Sequence, residues 1–257
     1  IHQSEYFVHY DNENYNLVNE DTIIQHIITN MRHDKINNVI NQWTHKNKIS
    51  IIKKIKENNI FNCIPESNTI QEILNYFTNY IFKDKDSTKF FLTIIGDIIL
   101  KKQNECIYLV NNNIKQLLSE FDKNLYNYFK ISNGISHFKY KYYDHDYKLC
   151  KIINTNLLDN FSFKNIKFLN ILIVCIYHSN RHKSSNDFLI GNNNETTKIN
   201  YLFNKTPNMI VDDFLNKYIT NVNNNKINFK DMLYLWKLFL NDENIPNIIF
   251  SNNFKNL

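Results

Sequence analysis

Apolar residues recur along this chain with two periods, and each change of period marks an element. Residues 5–19 alternate: Tyr6-Phe7-Val8-His9-Tyr10 and Tyr15-Asn16-Leu17-Val18 flank Asp11-Asn12-Glu13-Asn14. Aromatic and β-branched flanks favour strands, and Asp and Asn tolerate the positive φ of a tight turn. The stretch therefore predicts a β-hairpin. From Asp21 the spacing becomes helical, with Ile23, Ile24, Ile27 and Ile28 on one side. A further helix is predicted after Ser50, with Ile51, Ile52 and Ile55 opposite Lys53, Lys54 and Lys56. Ser67 precedes a third, through Ile70, Ile73, Leu74, Phe77 and Ile81, and Ser87 and Thr88 precede the strongly apolar Phe90 to Leu100.

A short strand is predicted at Cys106 to Val110, then an amphipathic helix through Ile114, Leu117, Leu118, Phe121 and Leu125. Over 135–143 the period returns to two. Phe138, Tyr140 and Tyr142 alternate with His137, Lys139 and Lys141, which predicts a strand with one aromatic and one cationic face. Residues 164–178 predict the most apolar helix, at the centre of the core. Residues 184–207 read as a polar loop around Gly191-Asn192-Asn193-Asn194, ended by Pro207. The tail, 208–257, has its own pattern, so a boundary is placed near 200 between a helical domain, 1–200, and a C-terminal module, 201–257. The class expected is mainly α with a short hairpin and strands.

Composition changes the weight of some of these features. The chain has 257 residues, 43% of them hydrophobic, enough for a sizeable core. It holds 47 Asn and 38 Ile but no Ala, and its 30 basic residues include only two Arg, Arg32 and Arg181. Such usage follows AT-rich codons, as in a protozoan or a large DNA virus, so Asn111-Asn112-Asn113 and Asn223-Asn224-Asn225 are read as codon drift in loops. The chain does not begin with Met, and its ends fall within readable elements, so it is expected to be an excised piece of a larger protein. No apolar run approaches the roughly 20 residues needed to span a bilayer, and no signal peptide is recognised. Cys63, Cys106, Cys150 and Cys175 show no disulfide spacing, so free thiols and an intracellular location are expected. A net charge of +5 permits a polyanionic partner.

Candidate chemistry is sparse. With only Gly96, Gly134 and Gly191 there is no glycine-rich phosphate cradle, and no catalytic motif stands out. Asp144-His145-Asp146 is read as a solvated turn. Cys175, His178 and His182 would share a helix face, and Cys150 or His145 could complete a tetrahedral set. No cofactor and no metal is expected, with Cys175 in the core and both histidines at the end of their helix. Basic groups meet aromatics at Lys139 and Lys141 with Tyr140, Tyr142 and Tyr143. They also cluster at Lys53, Lys54 and Lys56, and at Arg181, His182 and Lys183. Such surfaces suit phosphate contact and base stacking.

In the tail, Asn228 is expected to cap a helix carrying Met232, Leu233, Leu235, Trp236 and Phe239, with Asp231 reaching back to the cap. Pro246 then resets the chain. Ser251 is expected to cap a second helix with Phe254 and Leu257 inward and Asn252, Asn253, Lys255 and Asn256 outward.

Two stretches carry a resemblance. Tyr6 to Tyr15 followed by Asn19-Glu20-Asp21-Thr22-Ile23-Ile24 resembles the hairpin, acidic turn and helix that precede the core of poxvirus-type primase–helicases of large DNA viruses. Asp212 to Tyr218, Leu233 to Leu240, Ile245 to Phe250 and Phe254 to Leu257 resemble the winged-helix module that often ends such proteins. Together they cover roughly 70 residues, the ATPase core is not between them, and no catalytic residue is carried over. The resemblance implies a nucleic-acid-associated segment of a viral replication or transcription protein. Its candidate contacts are Lys139, Lys141, Arg181, Lys183, Asn252 and Lys255, and its partners are nucleic acid and other parts of the parent protein. An alternative reading is a helical, HEAT-like protein–protein scaffold, as in the middle domain of a translation-initiation scaffold.

Overall fold

The structure, a computed structural model, describes residues 7–33, 40–57, 64–82, 84–141, 144–153, 155, 157, 161–191, 196–220, 226–243 and 245–257, without the side chains of 30–33, 40–45, 165, 196 and 197. Tyr6, Cys63, Tyr142, Tyr143, Asn192 to Asn194 and Asn223 to Asn225, named above, lie outside the described residues. The fold is mainly helical, with 60% helix and 8% strand.

Strands β1 (Phe7–Tyr10) and β2 (Tyr15–Val18) pair antiparallel across the predicted turn. Asn12 takes a φ of 78°, and Asp11 Oδ1 accepts from the amides of Glu13 and Asn14 at 3.1 and 2.7 Å. The side chain thus closes the turn that its residue type favours. Helix α1 (Glu20–His33) starts from Asn19, whose Oδ1 accepts from the Thr22 amide at 2.9 Å. Helix α2 (Ile40–Glu57) begins at Ile40 and runs through Ser50, so the cap expected at Ser50 is not one. Seryl hydroxyls are tolerated on exposed helix faces, which hides them from a reading of caps.

Helices α3 (Asn68–Tyr80), α4 (Lys85–Ile99), α5 (Lys115–Phe129) and α6 (Phe168–His182) build the main core around Phe77, Phe91 and Phe121. Asp84, not Ser87 or Thr88, caps α4, accepting from the Ser87 amide at 2.6 Å. A carboxylate there also meets the positive end of the helix dipole. α4 and α6 cross closely at Gly96. A Cβ at that position would lie 2.1 Å from the Cys175 carbonyl oxygen and 2.6 Å from Ser179 Cβ. Beside the crossing, buried Asp97 accepts from Ser179 Oγ at 2.5 Å and from the Ser185 amide at 2.7 Å. That second bond anchors a helix the polar composition concealed. Residues expected to form a loop over 184–207 include α7 (Ser185–Gly191) and α8 (Thr196–Ile199), which bury Phe188, Leu189 and Ile199. The local cap, Ser184 Oγ accepting from the Asp187 amide at 3.1 Å, is small, and the decisive partner comes from α4.

Strand β3 (Ile107–Leu109) is the centre of a parallel sheet, with β4 (Phe138–Lys139) and β5 (Cys150–Ile152) at its edges. The strand expected over 135–143 contracts to two residues, because 132–137 form turns and Asn133 has a φ of 54°. β5 had no signal: all three of its residues are buried, so no alternation betrays it. α5 carries the chain from β3 to β4, and the next strand, β5, lies at the opposite edge. Tyr108, Val110 and Phe138 enter the main core. Leu109, Cys150 and Ile152 enter a second core with α9 (Pro207–Tyr218), α10 (Phe229–Asp242) and α11 (Ser251–Phe254). Phe214, Trp236, Phe239 and Phe254 fill it, the Trp236 and Phe254 rings stacking at 4.8 Å. The sheet therefore lies between two hydrophobic layers. Among the described residues 201–257 contain helices and no strand, and none of the described helices is long and apolar enough to cross a membrane.

Asn228 caps α10 as its sequence predicts. Its Oδ1 accepts from the Asp231 amide at 2.9 Å, and its Nδ2 donates back to the Asp231 carboxylate at 2.5 Å. Replacing Asn228 with Ala should lower stability by about 1 kcal/mol in urea unfolding. An unchanged midpoint would mean that the cap contributes nothing.

Candidate functional site

The connection from β4 to β5 carries the chain from the cationic pair Lys139 and Lys141 to the tail's end of the molecule. Lys139 is in register with Leu109, so both point to the tail side of the sheet. Phe138 turns the other way into the main core, and Tyr140, half-buried, packs against that core too. Lys115, at the start of α5, sets its ammonium 5.2 Å from the Tyr140 ring centre. Lys141 is exposed. Further along, His145 is held below its usual pKa by burial and then by the Lys139 ammonium, against the pull of Asp144. The predicted Asp144-His145-Asp146 turn thus leans on the predicted cationic strand. Among the described residues, Lys115, Lys139 and Lys141 form no ion pair.

The same crossover lies against the end of the chain. Asp144 and Tyr147 form one wall of a groove of about 320 Å³, and Pro207, Ile248, Ile249, Phe250, Asn253, Asn256 and Leu257 form the rest. α11 is a single turn. Its cap residue is Phe250 without a side-chain bond, so Ser251 is the first helical residue rather than the cap. Phe254 points inward as expected, but Leu257 is 49% exposed at the groove's rim. Asn252 and Lys255 are exposed, and Lys255 Nζ stands 5.9 Å from the Phe229 ring centre. A one-turn helix does not fill a nucleic-acid groove. It positions a few side chains at the surface.

Arg181 and Lys183 occupy a different place, the C-terminal end of α6. Arg181 donates to Glu66 Oε2 at 3.2 Å and to Tyr177 Oη at 2.5 Å, lying over the Tyr177 ring. Tyr177 also donates to Glu66, and its hydroxyl, with Gln71, holds the Glu66 carboxyl below its usual range. This clasp ties α6 to the start of α3. Lys183 has a φ of 65° where α6 ends, is exposed, and its carbonyl accepts from Lys102.

The candidate metal residues are divided between the two cores. Cys175 is fully buried in the main core, where burial pushes its thiol well above the usual range, and Cys150 lies in the second core. Among the described residues no three of His, Cys, Asp and Glu are grouped to hold a metal. Cys106, Cys150 and Cys175 are free thiols. His178 and His182 do share a face, their rings parallel within 3° and 6.1 Å apart. His178 is 4% exposed and neither ring nitrogen has a hydrogen-bond partner.

Family models, curated proteins and solved structures were compared with the chain, and none matches.

Proposed function

We propose that this protein is a nucleic-acid-associated module that holds phosphate groups on the surface formed by the 139–147 crossover and α11. One observation supports the reading above the others. Asp144, which follows Lys139 and Lys141 closely in the chain, lines the same groove as Asn253, Asn256 and Leu257, next to Asn252 and Lys255 in the last helix turn. Two segments far apart in sequence, each with cations or amides close by in the chain, so meet at one groove. Lysines act there as point charges without the paired geometry that reads bases, so binding is electrostatic and weakly sequence-selective. The lysine-rich, AT-biased composition fits a replication or transcription protein of a large DNA virus.

Affinity for a labelled 20-base-pair DNA duplex should fall steeply with salt. Changing Lys139 and Lys141 to Glu should reduce the log–log salt slope by about 1.8, the release of counterions from two phosphates. Thermal stability should barely change, because solvated charges contribute little to folding. A duplex, single strand and RNA all unbound at 50 mM salt would overturn the reading.

A helical scaffold is the second reading, favoured by the tail's apolar surface. Phe203, Met209, Ile227, Tyr234, Phe250 and Leu257 are all exposed, and patches of this kind mark protein contacts. The salt test separates the two, since an apolar interface tolerates salt.

A further inference from the structure

Helix α2 stands apart from the surface just described. Among the described side chains of α1 and α2 none is buried. Ile52 and Ile55 are half-buried and mark the inner side of α2, and Lys56, at the edge of that side, pairs with Glu20 of α1 at 2.9 Å. The side away from these two isoleucines carries Lys46, Ser50 and Lys53 at positions i, i+4 and i+7, with Lys54 flanking them, all exposed. Five lysines fall within the eleven residues from Lys46 to Lys56, and the nearest acid on the helix is Glu57. Glu57 meets Lys53 at only 3.8 Å, with the two side chains 74% and 62% exposed, so it neutralises little. Lys54 and Lys56 sit in the last turn, where the helix dipole favours them. Lys46 has no such compensation.

We infer that α2 is a second phosphate-binding element, which lays its outer lysine row along the backbone of a duplex. The inference rests on the nucleic-acid reading of the crossover and deepens it. The row from Lys46 to Lys54 rises roughly 12 Å along the helix axis at 1.5 Å per residue. Over that distance a DNA duplex presents about seven phosphate charges at one per 1.7 Å. Cations on a straight, pre-formed helix match a regular polyanion without ordering any loop. Among the described side chains, Lys46 to Glu57 include no aromatic or guanidinium group, so this stretch of α2 supplies charge alone and leaves base contact to other parts. An anionic lipid surface offers phosphates as well, but it rewards apolar insertion. Among the described side chains Ile49 lies at the edge of the lysine row and Ile51 across the helix from it, so no apolar stripe accompanies the charge.

The test compares three variants of the whole chain: Lys46→Glu/Lys53→Glu/Lys54→Glu, Lys139→Glu/Lys141→Glu, and Ile49→Ser. The probes are a labelled 20-base-pair duplex and vesicles of one-third phosphatidylserine. Circular dichroism should show all three folded, because every changed residue is at least partly solvated. The expected result is a duplex salt slope lowered by about 2.7 in the α2 triple variant, three phosphates released. Ile49→Ser should leave duplex binding within twofold. Duplex binding that survives in the triple variant but weakens at the crossover would overturn the α2 inference and leave the crossover reading standing. Vesicle binding that Ile49→Ser abolishes, with no duplex binding by the native chain, would overturn both in favour of a lipid surface.

Discussion

Lowering the pH from 7 to 5 is expected to cost about 2 kcal/mol of folding stability through His178 alone. His178 is buried with both ring nitrogens unpartnered, and burial, first, then His182, Lys89 and Arg181 push its pKa down to about 3. Groups facing the pair come from every neighbouring element. Lys89 and Asp86 come from α4, Glu66 precedes α3, and Tyr177 and Arg181 belong to α6, while Phe188 of α7 packs its ring against His182 at 4.8 Å. The sign follows from which state takes up the proton. Above the unfolded pKa of 6.5 both states are neutral at His178 and nothing is lost. Below it the unfolded chain binds a proton that the folded one refuses, so stability falls steadily, by about 4 kcal/mol at pH 3. His182, also lowered by burial, adds in the same direction. Urea unfolding of the native chain and of His178→Leu at pH 7 and pH 5 isolates the effect, since the carboxylates are common to both. The variant should lose about 2 kcal/mol less on acidification. Equal losses would mean that His178 titrates freely in the folded state.

The second large effect is at the crossing of α4 and α6. Gly96→Ala should destabilise the fold by about 3 kcal/mol or more, because the added methyl meets backbone rather than a movable side chain. The obstructing atom, the Cys175 carbonyl oxygen, cannot turn away without breaking α6. The helices must separate instead, loosening the Asp97 bonds to Ser179 and Ser185 and with them the start of α7. For a chain of this size that corresponds to a fall in melting temperature of roughly 10 °C. Gly191→Ala is the matched control. Nothing lies within 4 Å of its Cβ position, so it should be neutral or mildly stabilising through helix propensity. Equal melting temperatures for Gly96→Ala and the native chain would show that the crossing is looser than its geometry.

Half of the proposed surface was legible before folding, and its assembly was not. Lys139, Lys141, Asn252 and Lys255 stand out as cations and amides near aromatics. Nothing in their spacing says that a ten-residue crossover places residue 144 against residue 253. Arg181 shows the converse. As a sequence feature it is one of two arginines and a natural phosphate ligand, yet its guanidinium is engaged by Glu66, a partner 115 residues away. The basic run of α2 was visible as charge, and the pairing of its Lys56 with Glu20 needed the placement of α1.

By itself the sequence determined whatever depends on residues within a few positions of one another. The hairpin follows from Asp11 and Asn12, the start of α10 from Asn228 and Asp231, and the helical class from apolar spacing repeated over successive turns. Those interactions close within one turn or one tight loop, so local chemistry suffices. The tertiary structure alone decided the parallel sheet, whose edge strands of two and three residues are too short to carry a period and exist because β3 offers them hydrogen bonds. It also decided α7, whose first amide is satisfied by Asp97 on another helix. The isolation of His178 was fixed at that level too, since burial belongs to the packing of several elements and not to the residue.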